Sequence, residues 1–563
     1  MAGSVLIRSG EIIDGTGGPP FTGDVRVTDG VISEIGRGLA PRGERVIDAG
    51  GAIVAPGFID THSHTDPMLF WNPTLDPEPL HGVTTMLVGN CGLSLYPAPV
   101  AARAEICDLF AYAEDVPRHL FDDSVPWTWT DYAGYRDAVN RQGTGPNIAA
   151  LVGHSQIRIA AMGPDAWTRP STPAEVAEMV DLLERSLDAG AWGMSLSFYD
   201  VDKTGRPIPT RVADLSEFGP LVDAVARHEH AIVELLPGLI HPEPEIAFEY
   251  LAKRCGQGGV PLMFNGFVHN QNRPHETQHW LQFVRRMNAE GANVHALMSP
   301  RSIDVRVNWQ SSMMFMTMPR GWHRYISTPV DQKATLLRDP QWRAVAREEW
   351  DRVDSFLFPH RHPELVRFIE VVGEENQQWL GRTLADLIAE RSGHPSDLFA
   401  DFLLANECRP GIVAVGISNR DVDGVAETLA DPVVVVSGSD AGAHVQMMCA
   451  SGDSTLLLTR HVRERGDFTL EWAVHQLTGR QADVFGFSGR GVIAVGTVGD
   501  LVVFDLDELH YDADEFVPDL PGGESRLRRP AGGYRATVVS GEPVQLDGVF
   551  TGALPGRALS SVG

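Results

Sequence analysis

The sequence predicts an α/β protein, with a metal-dependent TIM-like (β/α)8 barrel and a small β-sandwich domain formed by both ends of the chain. Three observations lead to this class. Short strand-like runs broken by Asp-Gly and Gly-Gly occur at both ends, strand-like and helix-like segments alternate between them, and an apolar run ends in two closely spaced histidines. We expect residues 1–54 and 485–563 to form the β-sandwich and residues 55–484 to form the barrel.

Alternation of apolar and polar residues predicts the strands of the terminal domain. Near the amino end, these strands cover residues 5–8, 11–15, 25–27, 31–35 and 46–48. Near the carboxyl end, they cover residues 499–505, 535–541 and 552–557. Since neither set is large, we expect the two sets to combine in one domain beside the barrel.

Between the two ends, helix and strand signals alternate. Thr172 and Glu175 form a predicted capping box, and apolar residues then follow the helical period until Gly190, where a strand follows. The same alternation places strand candidates before His62 and at 83–88, 147–152, 191–197, 231–236, 260–265, 293–298, 412–417 and 433–439. A barrel has eight places for these nine candidates, and 412–417 is the weakest because a long irregular region precedes it.

Residues 300–392 interrupt the alternation, and we expect an insertion there. The region contains a methionine-rich run at 313–318 and a predicted helix near 339–355. Methionine side chains fill irregular cores, and they also line adaptable apolar pockets. The sequence leaves both interpretations open, a packed core or a substrate lid with an acyl pocket.

Composition and charge exclude several classes of partner. The chain is 43% hydrophobic and 21% charged, and its formal net charge of −28 disfavours nucleic acid and anionic membranes as partners. No run approaches the roughly 20 apolar residues of a membrane span, and the first ten residues lack the features of a signal peptide. The five cysteines are odd in number and widely spaced, which fits a reducing compartment. We therefore expect a cytoplasmic protein with a small-molecule substrate.

Two histidines and a distant aspartate predict a metal site. His62 and His64 are two residues apart at the end of a predicted strand, so both imidazoles can reach one cation. A valine run at 433–436 leads to Asp440, which places a carboxylate at the carboxyl end of another buried strand. Because catalytic side chains of β/α barrels lie at the carboxyl ends of strands, we expect these three residues to hold a catalytic metal.

Other strand ends carry further candidates. Cys91 follows the second strand between glycines that allow a sharp turn. Glu234 ends the fifth strand, and a carboxylate after so apolar a run needs a cation or hydrogen-bond donors. We expect both side chains to serve the metal site. Candidate substrate-binding residues lie in or after the third, fourth and sixth strands: His154, Arg158, Ser195 and Asn265.

A second histidine cluster consists of His269, His275 and His279. This spacing on a loop that enters a helix is more typical of a polar surface than of a metal site. We therefore do not expect these three side chains to share a cation.

The predicted ligands also indicate which cation and which reaction to expect. Imidazole, thiolate and carboxylate groups are typical of zinc, whereas magnesium and calcium prefer oxygen ligands. We expect one or two Zn²⁺ ions, or another divalent transition metal. Such a site activates water for hydrolysis of an amide, with Asp440 as the general base and then the general acid.

Five motifs, at residues 54–64, 82–92, 151–154, 438–440 and 499–505, extend over nearly the whole chain. Together they resemble the amidohydrolase superfamily and, within it, the N-acyl-D-amino-acid deacylase (D-aminoacylase) family. The resemblance implies a distorted β/α barrel that bears a metal, with a β-sandwich built from both ends, and it favours a homo-oligomer. It also implies that His62, His64, Cys91 and Asp440 serve the metal site.

The sequence departs from this family at two ligand positions. The family holds its principal zinc with its cysteine and with histidines from the fifth and sixth strands, where this chain has Glu234 and Asn265. The fourth strand also lacks the lysine of hydantoinase-like relatives, since Lys203 lies beyond it. We therefore expect a single metal at the two first-strand histidines and Asp440, with Glu234 or Cys91 completing the shell.

Three functions remain open from the sequence. The leading hypothesis is hydrolysis of a linear amide, most simply an N-acyl amino acid. A cyclic amide, imide or lactone hydrolase is an alternative, because the superfamily opens rings with the same chemistry. A metal-free binding or assembly protein is a third, and the presence of His62, His64 and Asp440 argues against it.

Overall fold

Eight parallel strands build the centre of the computed structural model, which describes residues 3–238, 244–310, 312–355 and 357–562. The expected outer limits of the terminal domain, residues 1 and 563, lie outside these ranges. In chain order, the barrel strands are Phe58–Asp60, Val83–Val88, the divided strand Asn147–Ala150 with Val152–Gly153, Gly193–Ser197, Ile232–Leu236, Leu262–Phe264, Val294–Met298 and Val434–Val436. The predicted (β/α)8 barrel is confirmed.

The barrel strands pair in chain order, and the third strand is divided at Leu151. Its first half pairs with the second strand, and its second half pairs with the fourth. Beyond the first and eighth strands, Ser63 and Ala441 form a parallel bridge. The ring therefore closes through the residues that follow these two strands, which makes the two ends of the predicted metal site neighbours.

Apolar side chains fill the inside of the barrel, as expected for this architecture. The buried cluster there includes Ile59, Leu87, Ala149, Leu151, Trp192, Ile232, Met263, Leu297 and Val435. Side chains on the other face of the strands pack against the surrounding helices in a second, larger core. Because both faces of each strand are buried, the positions left for chemistry are the carboxyl ends of the strands.

Helices lie on the outside, both between barrel strands and after the last one. They are Arg103–Ala113, Leu120–Asp123, Tyr132–Gln142, His154–Met162, Pro173–Asp188, Pro209–Val212, Leu215–Val225, Pro244–Gly258, Pro274–Ala289, Val422–Leu429, Asp453–Leu456, Leu470–Leu477 and Gly479–Phe485, with a π-helical segment at Leu457–Glu464. Short 3-10 turns occupy Met68–Phe70, Glu78–His81, Val100–Ala102, Gly163–Trp167, Met313–Phe315, Pro363–Leu365, Glu374–Trp379 and Pro521–Gly523. The predicted capping box between Thr172 and Glu175 is confirmed. Among the described residues, no helix is long and apolar enough to cross a membrane.

Both ends of the chain contribute to one nine-stranded sheet. Its strands are Val5–Ile12, Phe21–Thr28, Val31–Gly36, Arg45–Asp48, Ile53–Pro56, Leu501–Phe504, Ala536–Val539, Glu542–Leu546 and Val549–Phe550, and a separate hairpin joins Glu515–Val517 to Arg526–Arg528. The two halves meet where Ile53–Pro56 pairs antiparallel with Leu501–Phe504. Gly57 then leads into the first barrel strand, and a Cβ atom there would lie 2.2 Å from the side chain of Thr84.

The insertion has its own sheet and helices. Three antiparallel strands, Val305–Arg306, Val366–Glu370 and Gly411–Ala414, are accompanied by the helices Trp322–Ser327, Val330–Arg338, Pro340–Arg352, Leu384–Glu390 and Pro395–Ala405. The weakest of the nine strand candidates, 412–417, corresponds to Gly411–Ala414 and lies outside the barrel. Because this strand pairs with Val366–Glu370, the insertion continues beyond residue 392.

The methionine-rich run belongs to the core of this insertion. Met313, Met314, Met316 and Met318 are buried in one cluster that also contains Trp309, Phe315, Trp322, Trp350 and Phe399. This packing supports the interpretation of the run as a core rather than a lid. Tyr112, in the helix Arg103–Ala113 after the second barrel strand, and Met447, in the loop after the eighth, join the same cluster. The insertion therefore packs against the mouth of the barrel.

The carboxyl-terminal tail corrects one expectation, because segment 552–557 adds no strand to the terminal sheet. Instead the tail lies along the third barrel strand: the Ile148 N–H donates to the Arg557 carbonyl at 2.9 Å, and the Leu559 N–H donates to the Ile148 carbonyl at 2.7 Å. Farther on, the Ser561 N–H donates to the Gly190 carbonyl at 3.1 Å. The tail thus supplies hydrogen-bond partners to backbone groups in the first half of the third strand and just before the fourth, where these two strands do not pair with each other.

Deleting residues 556–563 should lower the midpoint of thermal unfolding by several degrees, because the N–H and carbonyl of buried Ile148 would lose their partners. Differential scanning calorimetry measures this change. Val549→Ser is the control, since this side chain is 68% exposed, and it should leave the midpoint unchanged. An unaltered midpoint in the shortened chain would show that the tail does not support the barrel.

Candidate metal centre at the mouth of the barrel

Four predicted ligands converge at the carboxyl ends of the barrel strands. The Nε2 atoms of His62 and His64 are 3.3 Å apart, and Asp440 Oδ1 lies 3.3 Å from the first and 3.4 Å from the second. Cys91 Sγ is 3.5 Å from His62 Nε2. Both imidazoles are 1% exposed, whereas the side chain of Asp440 is 27% exposed, so the carboxylate is the member that faces solvent.

Backbone hydrogen bonds fix the first and last strands relative to each other. The Asp440 N–H donates to the His62 carbonyl at 3.1 Å, and the His64 N–H donates to the Ala441 carbonyl at 2.7 Å. Asp440 itself has a φ of 67°, in the left-handed region that few non-glycine residues adopt. These two bonds hold the strained backbone so that the carboxylate points at the imidazoles.

A side-chain link reinforces the same junction. Ser439 Oγ donates to Asp60 Oδ2 at 2.5 Å, and Asp60 Oδ1 accepts from the His62 N–H at 3.2 Å. Arg301, which is paired with Asp453, donates to the Ser439 carbonyl at 2.8 Å. Residues next to the ligands on both strands are therefore tied together.

Cys91 occupies a tight turn. Its φ is 53°, and Gly89 and Gly92 on either side also have positive φ values. Ser195 spans this turn, because its Oγ donates to the Gly89 carbonyl at 2.5 Å and accepts from the Gly92 N–H at 3.0 Å. Ser195, which we expected to bind substrate, thus contacts the backbone on both sides of the cysteine and holds the thiol at the mouth.

Glu234 and Asn265 lie beside the converging ligands. Glu234 Oε2 accepts from the Cys91 N–H at 2.9 Å, and its Oε1 is 4.0 Å from both His62 Nδ1 and Cys91 Sγ. Asn265 Nδ2 lies 3.2 Å from His62 Nε2 and 3.3 Å from Cys91 Sγ. Asn265 therefore faces the shared space of the ligands, while Glu234 approaches His62 from its Nδ1 side.

Burial shifts the pKa values of these groups. Burial would raise the pKa of Asp440, but hydrogen bonds with His62 and His64 hold it well below its ordinary range. Burial raises the pKa of Glu234 to about 7, although the charge of His62 lowers it. Burial, and then the charges of Glu234 and Asp440, raise the pKa of the Cys91 thiol well above its usual range. A thiolate here therefore needs a cation beside it.

The residues present fit a zinc ion. The ligand atoms of His62, His64 and Cys91 all lie within 4.8 Å of one another. Two imidazole nitrogens, a thiolate sulfur and a carboxylate oxygen form a donor set typical of this metal. Within the described structure, the Nδ1 atoms of both histidines are buried without a hydrogen bond, which leaves each Nε2 as the atom presented to the shared space.

His154 and Arg158, which we expected to bind substrate, are not brought to this centre. Both side chains are fully buried, and Glu217 pairs with each of them. His154 Nε2 lies 2.9 Å from Glu217 Oε1, and its Nδ1 lies 3.0 Å from Thr210 Oγ1. Because these groups satisfy one another behind the barrel wall, the geometry gives them a structural role.

The other histidine cluster does not converge. His269 Nε2 lies 3.5 Å from Asp421, and His279 Nε2 lies 2.6 Å from Glu245 at the surface. His275 is exposed at the start of the helix Pro274–Ala289. Their different partners agree with the interpretation as a polar surface.

Two residues at the centre were not predicted from the sequence. Glu114 Oε1 lies 3.3 Å from His64 Nδ1, and His444 Nε2 lies 3.9 Å from Asp440 Oδ2. Burial raises the pKa of Glu114 well above its ordinary range, and the charge of Asp440 adds to this effect. Glu114 follows a helix rather than a strand, and His444 is one of twenty histidines, so neither had a local motif.

Comparison with known proteins identifies relatives along the whole chain. The sequence pattern of the amidohydrolase family matches residues 45–216 and 405–545. An uncharacterized protein of Mycobacterium tuberculosis is 30% identical over 97% of this chain and 92% of its own. The N-acyl-D-glutamate deacylase of Alcaligenes xylosoxydans xylosoxydans is 31% identical over 89% of this chain and 87% of its own.

A solved structure shares the fold. The N-acyl-D-glutamate deacylase of Bordetella bronchiseptica, complexed with zinc and a phosphonate inhibitor that mimics the tetrahedral intermediate of the reaction, superimposes with a TM-score of 0.65. It is 26% identical and covers 100% of both chains. The similarity therefore extends over the full length of both chains.

The buried cluster around Glu217 predicts a pH-dependent contribution to stability. Burial would raise the pKa of Glu217, but the hydrogen bond and charge of His154 and the charge of Arg158 lower it to about 2. In the unfolded chain the pKa of a glutamate is about 4.3. The ionised carboxylate therefore stabilises the fold fully above about pH 5, and this contribution is lost as the pH falls toward 2.

Glu217→Gln should lower the free energy of unfolding at pH 7 by roughly 3 kcal/mol, the usual cost of breaking a buried ion pair. The difference from the wild type should shrink as the pH falls from about 5 toward 2. Urea unfolding at a series of pH values measures both effects. Glu178→Gln, at an exposed helix position, is the matched control. A difference that does not change with pH would contradict an ionised Glu217.

Proposed function

This chain belongs to the amidohydrolase family, and from that membership we propose that it is a metal-dependent hydrolase that cleaves the amide bond of an N-acyl amino acid. The observation that carries the proposal is the convergence of His62, His64 and Asp440, with Cys91 beside them, at the catalytic end of the barrel. The N-acyl amino acid as substrate is supported by the relative from Alcaligenes, an N-acyl-D-glutamate deacylase that matches 89% of this chain.

We propose one zinc ion, held by His62, His64 and Asp440, with Cys91 completing the shell. Asn265 turns an amide nitrogen toward the ligands, and an amide N–H is a donor, not a ligand. Glu234 Oε2 accepts a hydrogen bond from the Cys91 N–H, and its Oε1 lies 4.0 Å from Cys91 Sγ. These contacts favour Cys91 over Glu234 as the fourth ligand, and among the residues that the structure describes they give no second set of imidazoles.

Asp440 is the residue that moves the proton. A zinc ion, when bound, supplies a Lewis acid that polarises the amide carbonyl and makes water a stronger acid. Asp440 turns its carboxylate toward the space between the two Nε2 atoms, and a cation there would keep the carboxylate ionised, so that it would accept a proton from the attacking water. The same oxygen then delivers this proton to the leaving amine nitrogen as the carbon–nitrogen bond breaks. The partial exposure of Asp440 gives a substrate access to it.

We also propose a cellular compartment and an oligomeric state for the protein. The five cysteines are buried and unpaired, which supports a reducing compartment such as the cytoplasm. Resemblance to the superfamily supports a homo-oligomer with a small-molecule substrate. Light scattering after size-exclusion chromatography determines the number of subunits.

Asp440→Asn should reduce the rate of hydrolysis about 10²- to 10⁴-fold, because the amide side chain cannot accept the proton. The assay uses acylated amino acids of both stereochemistries together with matched cyclic amides, so that it also separates linear from ring substrates. Asp165→Asn, at a position where the side chain is 57% exposed, should keep the wild-type rate. Turnover near the wild-type level in Asp440→Asn would contradict the role of this carboxylate.

Glu234→Gln should keep the zinc content of the wild type, since Glu234 contacts the Cys91 N–H rather than the shared space of the ligands. The double variant His62→Ala with His64→Ala should lose the metal, because both imidazoles present Nε2 to that space. Elemental analysis of the purified, dialysed proteins measures both. Equal loss of zinc in Glu234→Gln would make Glu234 a ligand.

A further inference from the structure

Glu114 lies directly behind one of the proposed ligands. It follows the helix Arg103–Ala113 and is 4% exposed. Its Oε1 is 3.3 Å from His64 Nδ1, and its Oε2 is 4.0 Å from His444 Nε2. In the part of the chain that the structure describes, no arginine or lysine forms an ion pair with this carboxyl group. The imidazoles of His64 and His444 are therefore the basic side chains beside it.

The tautomer of His64 depends on this contact. His64 turns Nε2 toward His62 Nε2 and Asp440 Oδ1, so its proton must reside on Nδ1 when Nε2 binds a cation. A buried N–H without an acceptor is costly. Glu114 Oε1 lies 3.3 Å from this Nδ1 but is not aligned with it as a hydrogen bond in the structure, so the N–H···O bond requires a small rotation of either side chain. A carboxyl oxygen can accept whether or not the other oxygen carries a proton.

Glu114 also borders the carboxylate that moves the proton. His444 Nε2 lies 4.0 Å from Glu114 Oε2 and 3.9 Å from Asp440 Oδ2, so one imidazole stands between the two acidic groups. The side chain of His444 is 18% exposed, and its Nδ1 is buried. Glu114 therefore lies beside His64, a proposed metal ligand, and beside His444, which in turn approaches the carboxylate of Asp440.

The insertion anchors both segments that carry these residues. Asn308 Nδ2 donates to Asp115 Oδ1 at 2.8 Å and to Gln446 Oε1 at 3.0 Å. Asp115 is next to Glu114 in the chain, and Gln446 is two residues from His444. The position of Glu114 is therefore fixed from outside the barrel as well as by its own helix.

We infer that Glu114 is a positioning residue, which holds His64 with its proton on Nδ1 and its Nε2 free for the metal. Carboxylates behind a metal-binding histidine fix its ring orientation and raise its basicity. The inference rests on the zinc site of the proposed function, and it assigns that site a residue outside the strands.

Two substitutions of similar size separate hydrogen bonding from packing. Glu114→Gln keeps an oxygen that accepts from Nδ1, whereas Glu114→Met fills the same space without an acceptor. Glu114→Met should weaken zinc binding about 10- to 100-fold. Glu114→Gln should weaken it much less. Competition between the metal-free protein and a chromophoric zinc chelator measures the dissociation constants.

A matched control comes from the insertion. Glu349 is also 4% exposed and accepts from the backbone N–H groups of Arg320 and Gly321. Glu349→Met should lower the midpoint of thermal unfolding and leave the zinc affinity unchanged. This variant separates loss of a buried carboxyl group in general from loss of the one behind His64.

The outcomes decide the inference and the proposed function separately. Wild-type zinc affinity in Glu114→Met, or equal losses in Glu114→Met and Glu114→Gln, would overturn the positioning role. If the wild type binds zinc but hydrolyses no acylated amino acid, the proposed substrate is wrong and the affinities of the variants still decide the role of Glu114. Absence of zinc binding by the wild type would overturn both.

Discussion

Closure of the barrel between its first and last strands is the constraint on which the candidate metal centre depends. Two backbone hydrogen bonds, from Asp440 to His62 and from His64 to Ala441, set the register of this junction. Successive side chains of a strand point to opposite faces, so a slip by one residue would turn the ligands away from each other. The link between Ser439 and Asp60 opposes such a slip from the side chains.

Around this junction, burial brings together groups that repel one another when charged. Burial raises the pKa values of Glu234 and Cys91, and the hydrogen bonds of two imidazoles keep Asp440 ionised. Buried charges of this kind are stable when a cation or a donor compensates them. The N–H of Cys91 compensates Glu234 in part, which leaves the thiol and Asp440 facing the space that a zinc ion suits.

The outer parts of the molecule support the same small region. Ser195 holds the turn of Cys91 from the fourth strand, and Asn308 of the insertion holds the segments next to Glu114 and His444. The methionine-rich core gives the insertion the packed interior that such an anchor requires. The centre is thus held by the barrel wall on one side and by the insertion on the other.

From the sequence alone, periodicity and strand-end polarity determined the barrel, the shared terminal domain and the group of His62, His64, Cys91 and Asp440, because these patterns follow from local backbone geometry. They also led to His154 and Arg158 at a strand end, although the fold turns both into a buried cluster with Glu217. Tertiary structure alone decided that Ser195 braces a turn, that the tail lies on the barrel and that Glu114 stands behind His64. Such contacts join residues that are far apart in the chain, so no local sequence pattern could predict them.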